Sequence, residues 1–199
     1  MSLIILVRHG ESESNVKHVL SDYLEKYPLT KKGRRQVMVS GKSLGKLKID
    51  KFFSSPILRT RQTAKILLKN ARLDLTFKID KRLIERNFGS LSGSIKKENL
   101  WKLTSNNKIE SFNSIQKRMI SFIKEQSQYN VVVAVTHHDP IVSVLAYALN
   151  LDELGSYSFR PTYASINILE LTNGNLKLIL SGLPYLTEGA IKKIPKRYR

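Results

Sequence analysis

Leu3-Ile4-Ile5-Leu6-Val7 runs directly into Arg8-His9-Gly10-Glu11-Ser12-Glu13-Ser14-Asn15. A short apolar run closed by a polar, glycine-bearing turn reads as a buried strand ending in a loop. Arg8 and His9 then arrive together at the strand's C-terminal end, the edge of an open α/β sheet where ligands bind. A neutral imidazole is a competent nucleophile, and a guanidinium forks onto phosphate oxygens. A glycine beside them lets a ligand approach the backbone. The combination suits the handling of a phosphate group. Taken alone, Arg8-His9-Gly10 is equally compatible with a strand whose polar end has no function, so the rest of the chain must decide.

The rest of the chain repeats the strand-then-loop pattern. Thr30 is placed to cap a helix, with Val37, Leu44 and Leu47 on one stripe and Gly41 and Gly45 permitting close packing. Residues 50–54 read as a strand, broken by Ser55-Pro56 and followed by a helix over 57–70. Residues 75–79 alternate as a strand, and 80–94 form a polar loop. The stretch 95–127 is helical in two pieces broken near 104–108, expected to act as a cap. Val131-Val132-Val133-Ala134-Val135 is the clearest buried strand, with a helix over 140–149 behind it. Residues 164–171 and 176–180 flank Asn173-Gly174, a hairpin signal. Residues 183–199 read as a mobile basic tail without an apolar period. Strands alternating with helices predict an α/β fold, a sheet sandwiched between helices, in one domain spanning 1–199.

Composition narrows the function classes. A hydrophobic fraction of 41% suits a globular chain. No apolar run approaches the roughly 20 residues of a membrane span, and Leu3–Val7 is too short for a secretory core, so no membrane partner is expected. Without cysteine, disulfides and thiolate metal sites are excluded, and a cytoplasmic location is expected. The net charge of +18 attracts anions, from phosphate esters to nucleic acid. The basic residues are scattered, and no nucleic-acid motif is visible. They read mainly as a solvated surface, with nucleic-acid binding through the tail a minority view. Oligomeric state is not legible, and a homodimer stays open.

Three further segments carry chemistry. Ser54-Ser55-Pro56-Ile57-Leu58-Arg59 lies at a strand-to-helix junction, where helix amides favour an anion. Glu85 sits in a loop beside Leu83, Ile84 and Phe88, which can shield a carboxyl and hold its proton towards neutrality. The alternative for Glu85 is an ion pair with Arg86. Val135-Thr136-His137-His138-Asp139-Pro140 again ends a buried strand in a histidine. Together with Arg8-His9-Gly10-Glu11-Ser12 and Asn15, these strings, in this order, resemble the histidine phosphatase (phosphoglycerate mutase-like) superfamily. The resemblance covers about two-thirds of the chain. It departs from the usual pattern at His138, where a glycine is common.

The resemblance implies a three-layer αβα sandwich with a mixed, mainly parallel sheet. It also implies His9 as nucleophile, Glu85 as proton donor and His137 as a second catalytic histidine. Arg8, Asn15, Arg59 and His137 would bind the substrate phosphate, with no cofactor and no metal. Arg61 is expected to be a solvated helix charge, and Thr63 and Ala64 to be packing residues. The expected substrate is a small phosphorylated molecule. Mutases of the superfamily carry a long insertion between the Glu and second-His motifs, with an arginine pair that grips phosphoglycerates. Here only 52 positions separate Glu85 from His137, and residues 98–116 contain Lys102 and Lys108 but no arginine. A short cap favours hydrolysis, so a phosphomonoester phosphatase is expected, with a cofactor-dependent phosphoglycerate mutase as the alternative. A protein phosphatase or a non-catalytic binding protein ranks below both. Trp101, Leu100 and Leu103 are candidates for the pocket mouth, or for a helix packing stripe.

Overall fold

A computed structural model of the chain describes residues 1–95 and 108–199. The strands are β1 (Ser2–Arg8), β2 (Lys51–Ser54), β3 (Phe77–Ile79), β4 (Val131–Thr136), β5 (Ile166–Thr172) and β6 (Asn175–Leu183). They form one sheet in the order β3-β2-β4-β1-β5-β6. β1 pairs parallel with β4 and β2 parallel with both β4 and β3, whereas β5 runs antiparallel to its neighbours β1 and β6. The sheet is therefore mixed and mainly parallel, as expected. Its register brings Arg8 opposite Thr136 and Ser54 opposite Val135. Three strand ends thus open on one edge.

Apolar residues on both faces of β1 and β4 explain why these strands read as unbroken hydrophobic runs. After the single helical turn α1 (Glu13–Val16), two helices cover one face, where Leu3, Ile5, Val131 and Val133 meet Val37 and Leu44 of α2 (Lys31–Leu44) and Ala64 and Leu67 of α3 (Leu58–Ala71). Ile4, Leu6, Val132 and Ala134 face Ile115 and Met119 of α4 (Phe112–Glu125), with Ile141 and Leu145 of α5 (His138–Ala148). Thr30 caps α2, its side chain accepting from Gly33 N–H. The close approach of α2 to α3 needs Gly45, where a Cβ would lie 2.5 Å from the Ala71 carbonyl oxygen. Asn173 and Gly174 both take positive φ, of 50° and 81°, as a tight two-residue hairpin turn requires.

The structure departs from the sequence reading in several places. Of the stretch expected to form a cap, the described helix α4 is a layer of the sandwich, with Ile115, Met119, Phe122 and Ile123 buried. The remainder, 96–107, with Leu100, Trp101 and Leu103, lies outside the described residues. The C-terminal tail is packed rather than loose. It contains a short helix at Glu188–Lys193, and Leu186, Ala190, Ile194 and Tyr198 are buried. Those four side chains recur every fourth residue across the short helix and the turn after it, a spacing that the intervening lysines and Pro195 conceal. β3 is also shorter than read, three residues at the sheet edge where few contacts extend it. No helix among the described residues is long and apolar enough to cross a membrane.

Candidate active site

His9 stands one residue beyond β1 and is still held by the sheet. Its N–H donates to Thr136 C=O at 3.0 Å, and its C=O accepts from Ala164 N–H at 3.1 Å. The following turn nests against α2. A Cβ on Gly33 would lie 2.0 Å from the Glu11 carbonyl oxygen, so that helix must present a glycine there. His9 Nδ1 lies 2.7 Å from Gly10 C=O. A carbonyl only accepts, so Nδ1 carries the proton and Nε2 presents its lone pair.

Arg59, in the first turn of α3, meets that lone pair with Nε–H at 3.1 Å. Its Nη2 donates to Ser21 C=O at 2.8 Å and to His137 Nδ1 at 3.2 Å. Because guanidinium only donates, His137 is protonated on Nε2, which lies 2.9 Å from Ser55 Oγ. The two imidazoles meet edge-on, 5.1 Å between centroids. Arg8 lies 4.3 Å above the Tyr163 ring and donates from Nη1 to Pro161 C=O at 2.7 Å.

This cluster is almost dry, with His9 and Arg59 2% exposed and His137 0%. Burial, then the nearby Arg59, drives both imidazoles well below their ordinary value of 6.5. Both therefore stay neutral across the physiological range. Burial also lowers Arg59 itself, to about 10. Arg8 Nε, Arg59 Nη1 and Ser21 Oγ are buried with no hydrogen-bond partner among the described residues. Leaving a buried donor unpaired costs about 1–3 kcal/mol. Two neighbouring guanidinium groups with unused N–H bonds fit a tetrahedral oxyanion.

Asn15 also lines this cleft, whose volume is about 320 Å³. Its Oδ1 is taken by the N–H and Oγ of Ser12, at 3.0 and 2.8 Å, so its amide donor side is what remains for a ligand. Glu85 approaches from the loop after β3. Thr136 Oγ1 donates to Leu83 C=O at 2.7 Å and Arg118 Nη2 to Glu85 C=O at 3.4 Å, tying that loop to β4 and α4. Glu85 is 8% exposed, and its carboxyl accepts the Arg86 N–H at 2.9 Å. Burial, reinforced by the charge of Asp139, raises its pKa above the ordinary 4.5.

Five of the six sequence-nominated residues, Arg8, His9, Asn15, Arg59 and Glu85, line one cleft, and the sixth, His137, is fully buried behind it against Arg59. Other readings are corrected. Glu85 does not pair with the Arg86 side chain, whose Nη1 goes to Glu153 Oε1 at 3.1 Å. Thr63 does more than pack, accepting Gly10 N–H at 3.2 Å and donating to Arg59 C=O at 2.8 Å. Arg61 pairs with Glu25 at the surface, in keeping with its expected role. His138 lines the cleft, its Nδ1 2.9 Å from Asp139 Oδ1. Sequence reasoning missed Tyr163, Ser21 and Arg86. Tyr163 and Ser21 sit in irregular segments whose spacing carries no signal, and Arg86 was visible only as a neighbour of Glu85.

Comparison with known proteins matches residues 4–183 to the family model described as histidine phosphatase superfamily, branch 1. A 2,3-bisphosphoglycerate-dependent phosphoglycerate mutase from Thermoplasma acidophilum is 34% identical over 185 residues, 88% of this chain and 90% of that protein. The structure of Bacillus stearothermophilus YhfR superposes with a TM-score of 0.83 at 23% identity, over 92% of this chain and 98% of that one. A mycobacterial glucosyl-3-phosphoglycerate phosphatase superposes with a TM-score of 0.79 at 21% identity, over 92% of this chain and 100% of that one.

Proposed function

The chain belongs to the histidine phosphatase superfamily, branch 1, and from that premise we propose that it is a phosphomonoester phosphatase working through a phosphohistidine on His9. Nε2 of His9 attacks phosphorus in line, a P–N bond forms and the ester P–O bond breaks. Glu85 gives its proton to the departing oxygen. The resulting carboxylate then takes a proton from water, which attacks phosphorus and breaks the P–N bond, releasing inorganic phosphate. Arg8 and Arg59, with Asn15, hold the equatorial oxygens and balance their charge, the work a metal ion does in other phosphoryl-transfer enzymes, and His137 joins them by turning its Nε2–H from Ser55 Oγ to the phosphate. A raised Glu85 and two neutral imidazoles are the protonation states that this sequence of steps needs.

The observation that favours hydrolysis is the wall of the cleft beyond the phosphate cluster. Val19, Leu20, Phe88 and Tyr163 line it together with Ser14, His18 and His138, and among the described lining residues Arg8 and Arg59 are the sole Lys or Arg side chains. A mutase acting on phosphoglycerate must also grip a carboxylate, and must retain its product until the phosphoryl group returns. A lining with no further Lys or Arg among its described residues instead suits an uncharged leaving group. The mutase reading is carried by the 34% identity to the Thermoplasma protein over nearly its full length.

Release of inorganic phosphate from a panel of phosphomonoesters in excess chelator, with His9→Ala alongside, tests the proposal. Chelator-resistant hydrolysis that disappears in the variant is expected. Undiminished hydrolysis by His9→Ala, or phosphoglycerate interconversion with no net phosphate release, would overturn it.

A further inference from the structure

Arg86 is a charged side chain, 2% exposed, that the proposed chemistry does not use. A buried guanidinium is costly unless its N–H bonds are paired. Here Nε donates to Glu110 C=O at 2.8 Å, and Nη1 reaches Glu153 Oε1 at 3.1 Å and Asp139 Oδ2 at 3.8 Å. Glu153 opens a short helical turn beyond α5, and Asp139 lies in the first turn of α5, two residues after His137. The same residue gives its backbone N–H to Glu85 Oε1 at 2.9 Å. One residue therefore joins the proton-donor loop to α5, which His137 precedes, and to the chain entering α4.

The direction of these contacts matters as much as their number. A guanidinium adjacent in sequence to a buried acid would, if it folded back, stabilise the carboxylate and strip the acid of its proton. Glu153 and the Glu110 carbonyl draw the charge the other way, leaving Glu85 with a neutral amide partner. We infer that Arg86 is a positioning residue that holds the Glu85 carboxyl at the cleft through its backbone N–H while its side chain is anchored away on Glu153, Asp139 and Glu110. This rests on the reading of Glu85 as the proton donor.

The test uses two substrates that differ in their need for an acid. p-Nitrophenolate leaves without a proton, whereas an alkoxide does not. kcat/KM, which reports the first chemical step, is compared for p-nitrophenyl phosphate and an alkyl phosphate. Glu85→Gln should lose about 10²–10⁴-fold on the alkyl ester and far less on the nitrophenyl ester. Arg86→Met should reproduce this selectivity, with at least about a tenfold greater loss on the alkyl ester. Glu153→Gln keeps an acceptor of the same shape, removes the charge, and should shift the ratio in the same direction by a smaller factor. It decides the matter if Arg86→Met does not fold. Equal losses on both esters in the Arg86 and Glu153 variants, beside a selective Glu85→Gln, would reduce Arg86 to a structural residue and overturn this inference alone. A non-selective Glu85→Gln would instead overturn the acid assignment beneath it.

Discussion

Arg59→Met should cut turnover by orders of magnitude while leaving the protein folded. The guanidinium is buried beside Arg8, which also disfavours its charge, and burial takes it from 12.5 to about 10. At 1.36 kcal/mol per tenfold, that is roughly 3 kcal/mol against the charged form in the folded protein. The sign follows from linkage. A base whose folded pKa is depressed carries its penalty in full below the folded value, here about 10, and loses it as pH rises towards 12.5. At neutral pH the whole penalty applies. Replacement by a flexible apolar side chain removes it, but orphans three buried acceptors, the Ser21 carbonyl and a nitrogen on each imidazole, at about 1–3 kcal/mol each. The gain is matched or exceeded by these losses, so the thermal midpoint should stay level or fall, by about 2–4 °C for each net kcal/mol. Turnover, by contrast, should fall about 10³–10⁵-fold, as when an arginine is removed from a phosphoryl-transfer site. The assay pairs initial rates with thermal melts in the presence and absence of inorganic phosphate. The parent protein should gain stability from phosphate by mass action, and the variant should gain none. A variant that melts many degrees lower yet keeps activity within tenfold would refute the idea that this cation is retained for an anion.

Other outcomes follow from the same geometry. His9 and His137 lie well below 6.5 and Glu85 above 4.5, so kcat/KM should hold through mildly acidic pH and fall on the alkaline side as Glu85 ionises. Asp139→Asn removes the charge that supports the Glu85 proton, so the alkaline limb should move to lower pH; an unmoved limb would dissociate the two carboxyls. Tyr198→Ala should cost about 3 kcal/mol, or roughly 6–12 °C in the thermal midpoint, because a ring 1% exposed is lost from the core. A loose C-terminal tail would leave the melt unchanged. Gly33→Ala sets a methyl against the Glu11 carbonyl and should lower both stability, by about 1–3 kcal/mol, and activity through the displaced Gly10 turn.

The strands and the strand-end residues were legible because their signals are local. β1 and β4 are apolar on both faces, and each ends at a histidine, so sequence alone put His9 and His137 on one edge. Arg59 and Glu85 were legible through motif spacing, and the Asn173-Gly174 turn through its φ demand. What was hidden depends on tertiary partners. Arg86 looked like a partner for Glu85, and nothing near it in sequence announces Glu153, 67 positions away, as the competing acceptor. Tyr163 matters because it lies under Arg8, a contact across 155 positions that no periodicity encodes. The tail was misread because a four-residue apolar spacing was judged by its lysines, when Leu186, Ile194 and Tyr198 decide its burial.

The central claim is a covalent phosphoryl group on His9 that water removes. Rapid quenching of the protein with a radiolabelled phosphomonoester, followed by peptide mapping, tests it directly. The account predicts an acid-labile, base-stable label on His9 within one turnover, decaying to inorganic phosphate at the steady-state rate whether or not phosphoglycerate is present. Turnover without a label on His9, or a label that persists in water and leaves only onto phosphoglycerate, would contradict it.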